Sequence, residues 1–286
     1  MKIIKYFVEF FFILILFFIF KLLGLKLASK FGSIIGGLLG PFFRSKKKII
    51  TNIKKALPNS DEKNIEKISK RMWKNYGRIL SEYIFIKNFR NSKNEKIISV
   101  EGQEFLEEIK NSGEPVVFVS GHFNNFELMA MQIEKSGINL AAIYRPLNNI
   151  FLNLIMERLR IKYICKKQIK KGRSGTRDLI ESFKKKYSIA LMIDQRVSEG
   201  IKCNFFGHPA LTTTIPSQLF KKFGCKIVPV YIERITDISF KIKISKPIIY
   251  EKENSIEEIT LDLNKWLEKR ILNNPSQWIW SHNRWK

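Results

Sequence analysis

Three cysteines, three histidines and about half as many acidic as basic side chains are the scarcities of this 286-residue chain. Each removes a class of function. Cys165, Cys203 and Cys225 show no paired or metal-ligand spacing, which argues against a disulfide framework or a cysteine-built zinc site and gives no reason to expect an oxidising compartment. The sequence contains no P-loop, no dinucleotide-binding glycine fingerprint and no His-Glu-x-x-His zinc motif. Gly172-Arg173-Ser174-Gly175-Thr176 lacks the final glycine of a nucleophile elbow, so a covalent serine esterase has little support. No internal repeat or low-complexity linker divides the chain.

The acidic deficit has a positive counterpart. Fifty-one Lys and Arg against 26 Asp and Glu leave a formal charge of +25, which calls for an anionic partner: nucleic acid, lipid headgroups, a phosphorylated glycolipid or an acidic carrier protein. The N-terminus discriminates among them. Phe10 to Phe20 is wholly apolar, and Ile3 to Phe20 is interrupted only by Lys5 and Glu9, close to the length that crosses a bilayer. A soluble DNA-binding protein has no use for such a segment. A signal peptide is the competing explanation, but the only candidate for a small-residue cleavage site, Ala28, is weak. Lys2 and Lys5 precede the run, whereas Lys21, Lys26, Lys30, Arg44, Lys46, Lys47 and Lys48 come after it, so the positive-inside rule puts the body on the cytoplasmic side. Lys26, Lys30, Ser33 and Gly37 fall on one helical face, with Leu27, Phe31, Ile34, Ile35 and Leu38 on the others. This suits either a helix in the membrane interface, ended by Gly40-Pro41, or an ordinary core helix. Residues 1–45 therefore read as a membrane anchor and interfacial helix, and residues 46–286 as a single domain.

Periodicity in that domain predicts a helix over Ser60 to Ile86. It then predicts strands at Pro115 to Ser120, Asn139 to Tyr144, Ile189 to Ile193, Lys226 to Glu233 and Ser239 to Ile244. Helices are predicted at Phe126 to Lys135, Asn149 to Arg160, Gly175 to Tyr187, Ile215 to Phe223 and Ser255 to Leu272. Alternation of this kind predicts an α/β fold with a mixed, mainly parallel sheet covered by helices, and a site at strand ends.

His122-Phe123-Asn124-Asn125-Phe126-Glu127 falls at one such end. Five residues along a helix turn a side chain by about 500°, leaving His122 and Glu127 roughly 140° apart. They can meet only if His122 precedes the helix, with Gly121 in the turn and Asn124 or Asn125 as N-cap. In that arrangement the imidazole is a general base for an attacking hydroxyl and the carboxylate orients the ring. The alternative is a turn histidine beside a solvated glutamate.

Other residues stand out. Arg145 comes after a predicted strand, and Arg173 and Arg177 flank the start of a predicted helix, where backbone N–H groups favour phosphate. Arg177 could equally pair with Asp178 or Glu181. Asp194-Gln195 ends an apolar run, either as a source of an oxyanion-binding amide or as a hydrogen-bonded turn. Phe205-Phe206-Gly207 is either a groove wall or a packed loop. His208 and His282 receive no catalytic role, and the C-terminal tryptophans belong either to the membrane interface or to the core.

Taken in order, His122 to Glu127, Tyr144-Arg145-Pro146-Leu147-Asn148-Asn149, Lys171 to Arg177, Asp194-Gln195, Phe205 to Ala210 and Trp278 to Lys286 give a sequence that resembles the bacterial lipid A biosynthesis acyltransferases of the late or secondary type. The resemblance spans nearly the whole chain. It implies a glycerolipid-acyltransferase-like fold and an O-acyltransferase that moves a fatty acyl group from acyl carrier protein, or acyl-CoA, to a hydroxyl of a Kdo2-lipid A type precursor. His122 would be the base and Glu127 its partner, with no covalent acyl-enzyme, metal or cofactor. Arg145 and Arg173, with Arg177, would hold a lipid phosphate or the carrier's phosphopantetheine. Partners would be the carrier, the lipid precursor and an anionic membrane surface, without nucleic acid, at the cytoplasmic face of the inner membrane. The family more often has Gly-Asn-Trp where this chain has Asn124-Asn125-Phe126. Two rivals stand beside this reading: an acyltransferase for another membrane lipid, and a non-catalytic, membrane-tethered protein binding nucleic acid or anionic lipid.

Overall fold

The computed structural model describes residues 2–286, apart from the side chains of residues 173 and 174. The chain begins with α1 (Lys2–Phe43), α2 (Lys46–Ala56) and α3 (Glu62–Glu82), then a 3-10 turn (Tyr83–Phe85) and α4 (Ile86–Asn91). Alternation then sets in with β1 (Ile98–Glu101), α5 (Gln103–Ser112), β2 (Val117–Ser120), α6 (Glu127–Lys135), β3 (Leu140–Tyr144), α7 (Ile150–Tyr163), β4 (Lys167–Lys170), α8 (Arg173–Lys184) and β5 (Ser188–Met192). It finishes with β6 (Ile201–Phe205), β7 (His208–Thr212), α9 (Ile215–Phe223), β8 (Ile227–Thr236), β9 (Ser239–Ile244) and α10 (Ile256–Asn273).

The main sheet has seven strands in the order β1-β9-β8-β2-β5-β3-β4. Every neighbouring pair is parallel except β8 and β9, which form an antiparallel hairpin. The central strands β2 and β8 are apolar because helices cover both faces: Val117, Phe118, Val119, Ile227, Val228 and Val230 are all buried. All five predicted strands are present. The unpredicted β1 and β4 are the sheet's edges, short and carrying charge, such as Lys167-Gln168-Ile169-Lys170 with only Ile169 buried. Edge strands of this kind lack the apolar run that marks a central one. β6 and β7 form a separate antiparallel hairpin.

α1 departs from the expected layout. It runs through Pro41 to Phe43, because a proline in the last turn forfeits only its own backbone bond, and it breaks instead at Gly24, whose φ of 71° and ψ of 164° are not helical. From Lys2 to Leu23 it is about 33 Å long, enough to match the hydrocarbon core of a bilayer. The segment beyond Gly24 combines the two expected readings. Ala28, Ser29, Gly32, Ser33 and Gly40 are buried against α3, so Ser33 belongs to the packing face. Leu27, Phe31, Ile34, Leu38, Leu39, Phe42 and Phe43 stay exposed. The contact is backbone to backbone: a Cβ on Gly77 would lie 1.9 Å from the carbonyl oxygen of Gly32. Small residues on both helices are what permit that approach.

Candidate active site

β2, β5 and β3 lie side by side and parallel, with Ser120 opposite Met192 and Ala190 opposite Ala142. The residues just past their ends, Gly121-His122, Ile193-Asp194-Gln195 and Arg145, therefore emerge at one rim of the sheet. Here His122 meets a carboxylate, but from the neighbouring strand. Its Nδ1 is 2.7 Å from Asp194 Oδ1, and its backbone N–H donates to Asp194 Oδ2 at 2.7 Å. The Trp278 indole donates to the same Oδ2 at 2.8 Å.

Asp194 is 0 % exposed. Burial alone would raise its carboxyl, yet the His122 ring and N–H, together with Trp278, more than offset that and hold it below the ordinary aspartate range. A carboxylate on Nδ1 fixes the tautomer with the proton there, so that Nε2 carries the lone pair that can abstract a proton. The Gln195 side-chain nitrogen is 3.3 Å from that Nε2.

Glu127, expected as the ring's partner, is engaged elsewhere. Its Oε1 accepts from Arg160 Nε at 2.8 Å and Nη2 at 2.5 Å. Among the described residues it makes no hydrogen bond to His122. The reason is where the helix begins. α6 starts at Glu127, with Phe126 before it and its ring edge-on to His122 at 4.8 Å, so Glu127 points along the helix toward α7. Burial works against the Arg160 charge, and the adjacent Glu127 carboxylate outweighs it and raises the guanidinium's pKa.

The expected Asn124 or Asn125 cap is replaced by a tighter device. Asn124 has φ 45°, a left-handed conformation that asparagine tolerates better than most residues and glycine adopts freely. Its Nδ2 donates to Gln277 Oε1 at 2.5 Å, and its Oδ1 accepts from Arg234 Nε at 3.1 Å. Asn125 Nδ2 donates to Glu82 Oε2 at 3.1 Å. Glu82 is itself buried, gripped by Arg234 at 2.6 and 2.9 Å and by Ser29 of α1 at 2.7 Å. The loop between His122 and Glu127 is thus tied through Glu82 to α1, α3 and β8.

His122, Glu127 and Arg160 line a cavity of about 710 Å³. One wall is mainly apolar. Phe118, Ala190, Ala142 and Gln168 form one row across β2, β5, β3 and β4, faced by Met129, Ala130 and Ile133 of α6. Its other lining is basic and polar, with Arg44, Arg145, Lys171, Gln195 and His282. Burial and the nearby Arg145 lower the Lys171 pKa. Burial, Arg284, Lys171 and His122 bring His282 down to about 4 against the pull of Asp194, so it is a neutral imidazole at pH 7. A thioester carbonyl beside His122, with its apolar chain in the interior and its anionic carrier at the basic lining, is what such a cavity accommodates chemically.

Of the residues singled out from sequence, His122, Glu127, Arg145 and Gln195 line the cavity, and Asp194 supports the ring from beneath. Arg177 is exposed on α8, outside the cavity lining, without an ion pair to Asp178 or Glu181 among the described residues. The Arg173 side chain lies outside the described residues. Phe205 packs with Phe206, Trp278 and Trp285, and neither phenylalanine lines the cavity. Trp278 and Trp280 are core residues, buried at a right angle to each other. Arg160, Lys171, His282, Trp278 and Glu82 were not foreseen as site residues. The sequence signals were that Lys171, Trp278 and His282 belong to motifs already noted; Arg160, in a helix that also carries Glu157, Arg158 and Lys162, and Glu82 had none.

The whole chain, residues 1–286, matches the sequence model of the family described as bacterial lipid A biosynthesis acyltransferase. It is 24% identical over 259 residues to the lipid A biosynthesis palmitoleoyltransferase of Escherichia coli strain K12, covering 89% of this chain and 83% of that one. The lipid A biosynthesis acyltransferase of Haemophilus influenzae is 24% identical over 242 residues, covering 82% and 75%. A match across the full length, on a sheet whose strand ends carry a paired histidine over a cavity part apolar and part basic, makes this chain a member of the bacterial lipid A biosynthesis acyltransferase family, an acyltransferase of lipid A assembly.

Proposed function

We propose that the enzyme transfers a fatty acyl group from acyl carrier protein, or from acyl-CoA, to a hydroxyl of a Kdo2-lipid A type precursor at the cytoplasmic face of the inner membrane. His122 is the general base. The observation that carries this reading is the Asp194–His122 pair, which puts a lone pair on Nε2 beside a 710 Å³ cavity with one mainly apolar wall. The acceptor hydroxyl gives its proton to Nε2 as its oxygen attacks the thioester carbon. The carbonyl becomes an oxyanion, which the Gln195 amide stabilises, and its collapse expels the thiolate, which takes the proton back from the imidazolium. Asp194 stabilises that imidazolium while it lasts.

The remaining cavity groups bind. Arg145 and Lys171, which line the cavity, bind phosphate, whether of the lipid or of the carrier's phosphopantetheine, and Arg173 comes two residues after Lys171. Glu127, held by Arg160, orients the acceptor from the cavity wall. The net charge of +25 suits an acidic carrier and an anionic membrane surface. The test is acyl transfer from labelled acyl carrier protein to a lipid A precursor: His122→Ala is expected to abolish it, and full activity would end the proposal. Mass spectrometry of lipid A from cells with and without the protein identifies the acceptor. An unchanged acylation pattern would point to another membrane lipid.

A further inference from the structure

α1 touches the body of the enzyme at both of its ends. Near its start, Asn149 Nδ2 donates to the Tyr6 carbonyl at 2.8 Å, and Phe151 of α7 packs on Phe7 and Phe10 with ring centroids 5.7 Å apart in each case. Beyond Gly24, Ser29 bonds Glu82, and Gly32 and Gly40 press on α3. Tyr6 is separated from Ser29 by about 26 Å of helix up to Leu23 and then by the break at Gly24. A helix crossing the bilayer upright would put these two ends on opposite sides, where one body cannot hold both. The first segment of α1 must therefore run along the body, with its outer face, including Phe11, Phe12, Ile15 and Phe18, uncovered.

α7 continues that face. Ile150, Leu154 and Ile161 are 53 %, 57 % and 49 % exposed and fall within an arc of about 40° on the helix. That arc adjoins Phe151, the residue that meets α1. Glu157, which the spacing places among them, is turned to the Tyr144 hydroxyl and to Lys170. Leu147, just before α7, is partly exposed and lines the cavity. The rim of the stripe is basic, with Arg158, Lys162, Lys166 and Lys170 exposed. An apolar stripe rimmed by lysine and arginine is the signature of a helix lying in an anionic membrane surface.

We infer that α7 and the first segment of α1 form one continuous surface inserted into an anionic lipid leaflet, placing the Leu147 side of the catalytic cavity at the membrane so that the lipid acceptor enters from the leaflet. This rests on the reading of α1 as a membrane anchor. The occupant is lipid, because the stripe is continuous with α1's apolar face and the exposed charges flanking it on and after α7, Arg158, Lys162, Lys166 and Lys170, are basic.

The experiment places an environment-sensitive fluorophore on single introduced cysteines in the full-length protein, reconstituted in vesicles of phosphatidylglycerol and phosphatidylethanolamine. Cys165, Cys203 and Cys225 are buried, which favours labelling at Leu154→Cys on α7, Phe12→Cys on α1 and Glu257→Cys on α10. Lipid-borne spin quenchers are expected to quench Leu154→Cys and Phe12→Cys several-fold more than iodide does, and Glu257→Cys the reverse. Quenching at position 12 but not at 154 would overturn the inference while leaving the anchor intact. Lipid quenching at neither would overturn both. As a functional arm, Leu154→Glu with Ile161→Glu is expected to raise the apparent KM for vesicle-borne acceptor about tenfold or more, while kcat/KM for detergent-dispersed acceptor stays within about twofold. Equal KM values in vesicles for this variant and the parent would also overturn it.

Discussion

Two carboxylates serve one cavity, and they differ in how they are held. Asp194 comes from the end of β5 and is enclosed, accepting from the His122 ring, the His122 backbone and the Trp278 indole. Glu127 comes from the first turn of α6 and is committed to the Arg160 guanidinium. Glu127 is five residues from His122 and Asp194 is seventy-two away, yet the distant one supports the ring. Strand register decides the matter: β2 and β5 are paired residue for residue, so the turn after Ser120 must meet the turn after Met192. Proximity along the chain puts Glu127 on a helix whose direction carries it past the histidine.

If the two carboxylates divide the work in this way, removing the base has the largest effect. His122→Ala is expected to lower kcat by about a thousandfold or more, measured as label transferred from acyl carrier protein. Gln195→Ala removes the amide 3.3 Å from His122 Nε2 that is proposed as the oxyanion donor, and is expected to cost about a hundredfold in kcat with little change in KM. The Glu127–Arg160 pair should behave as a buried ion pair. Glu127→Leu or Arg160→Met alone strands a buried partner and is expected to destabilise the protein by about 3–5 kcal/mol, whereas the double substitution recovers most of that loss. Thermal unfolding in detergent measures the contrast, and additive losses would break it.

The smallest effect is a pH slope. His282 titrates near 4 when folded and near 6.5 when unfolded. Between those values the unfolded chain binds the extra proton, so stability rises with pH up to about 6.5 and is lost as pH falls toward 4. Asp194 opposes the depression, while Arg284, Lys171 and His122 reinforce it. His282→Asn is expected to flatten the slope of the unfolding midpoint between pH 4.5 and 6.5 relative to the parent protein, with the pH range taken as roughly that set by the two titrations.

Much of this architecture was legible in the sequence for an identifiable reason. Val117, Val119, Ile227 and Val228 lie on central strands covered on both faces, and their unbroken apolarity marks them. Lys167 to Lys170 lies at an edge and buries one residue, so it leaves no such trace. The rim of the sheet was legible too, because His122, Arg145 and Asp194-Gln195 each come at the end of an apolar run. Which of them touch was not, since pairing depends on strand order, and the order β2-β5-β3 is not the order of the chain. Glu82 shows the same limit. Within α3 it reads as one more surface glutamate, and only the approach of Ser29, Asn125 and Arg234 from three other segments makes it the anchor of the loop between His122 and Glu127. The break in α1 escaped because Gly24 sits in an apolar run where proline at 41 offered a stronger local signal.

The division between the two carboxylates is tested most directly by Asp194→Asn, assayed for kcat and KM beside His122→Ala and the double variant. Loss of the carboxylate is expected to lower kcat by about a hundred to ten thousandfold with KM little changed, and the double variant should be no slower than His122→Ala alone. A near-normal kcat in Asp194→Asn, together with abolished transfer in a folded Glu127→Gln, would contradict it.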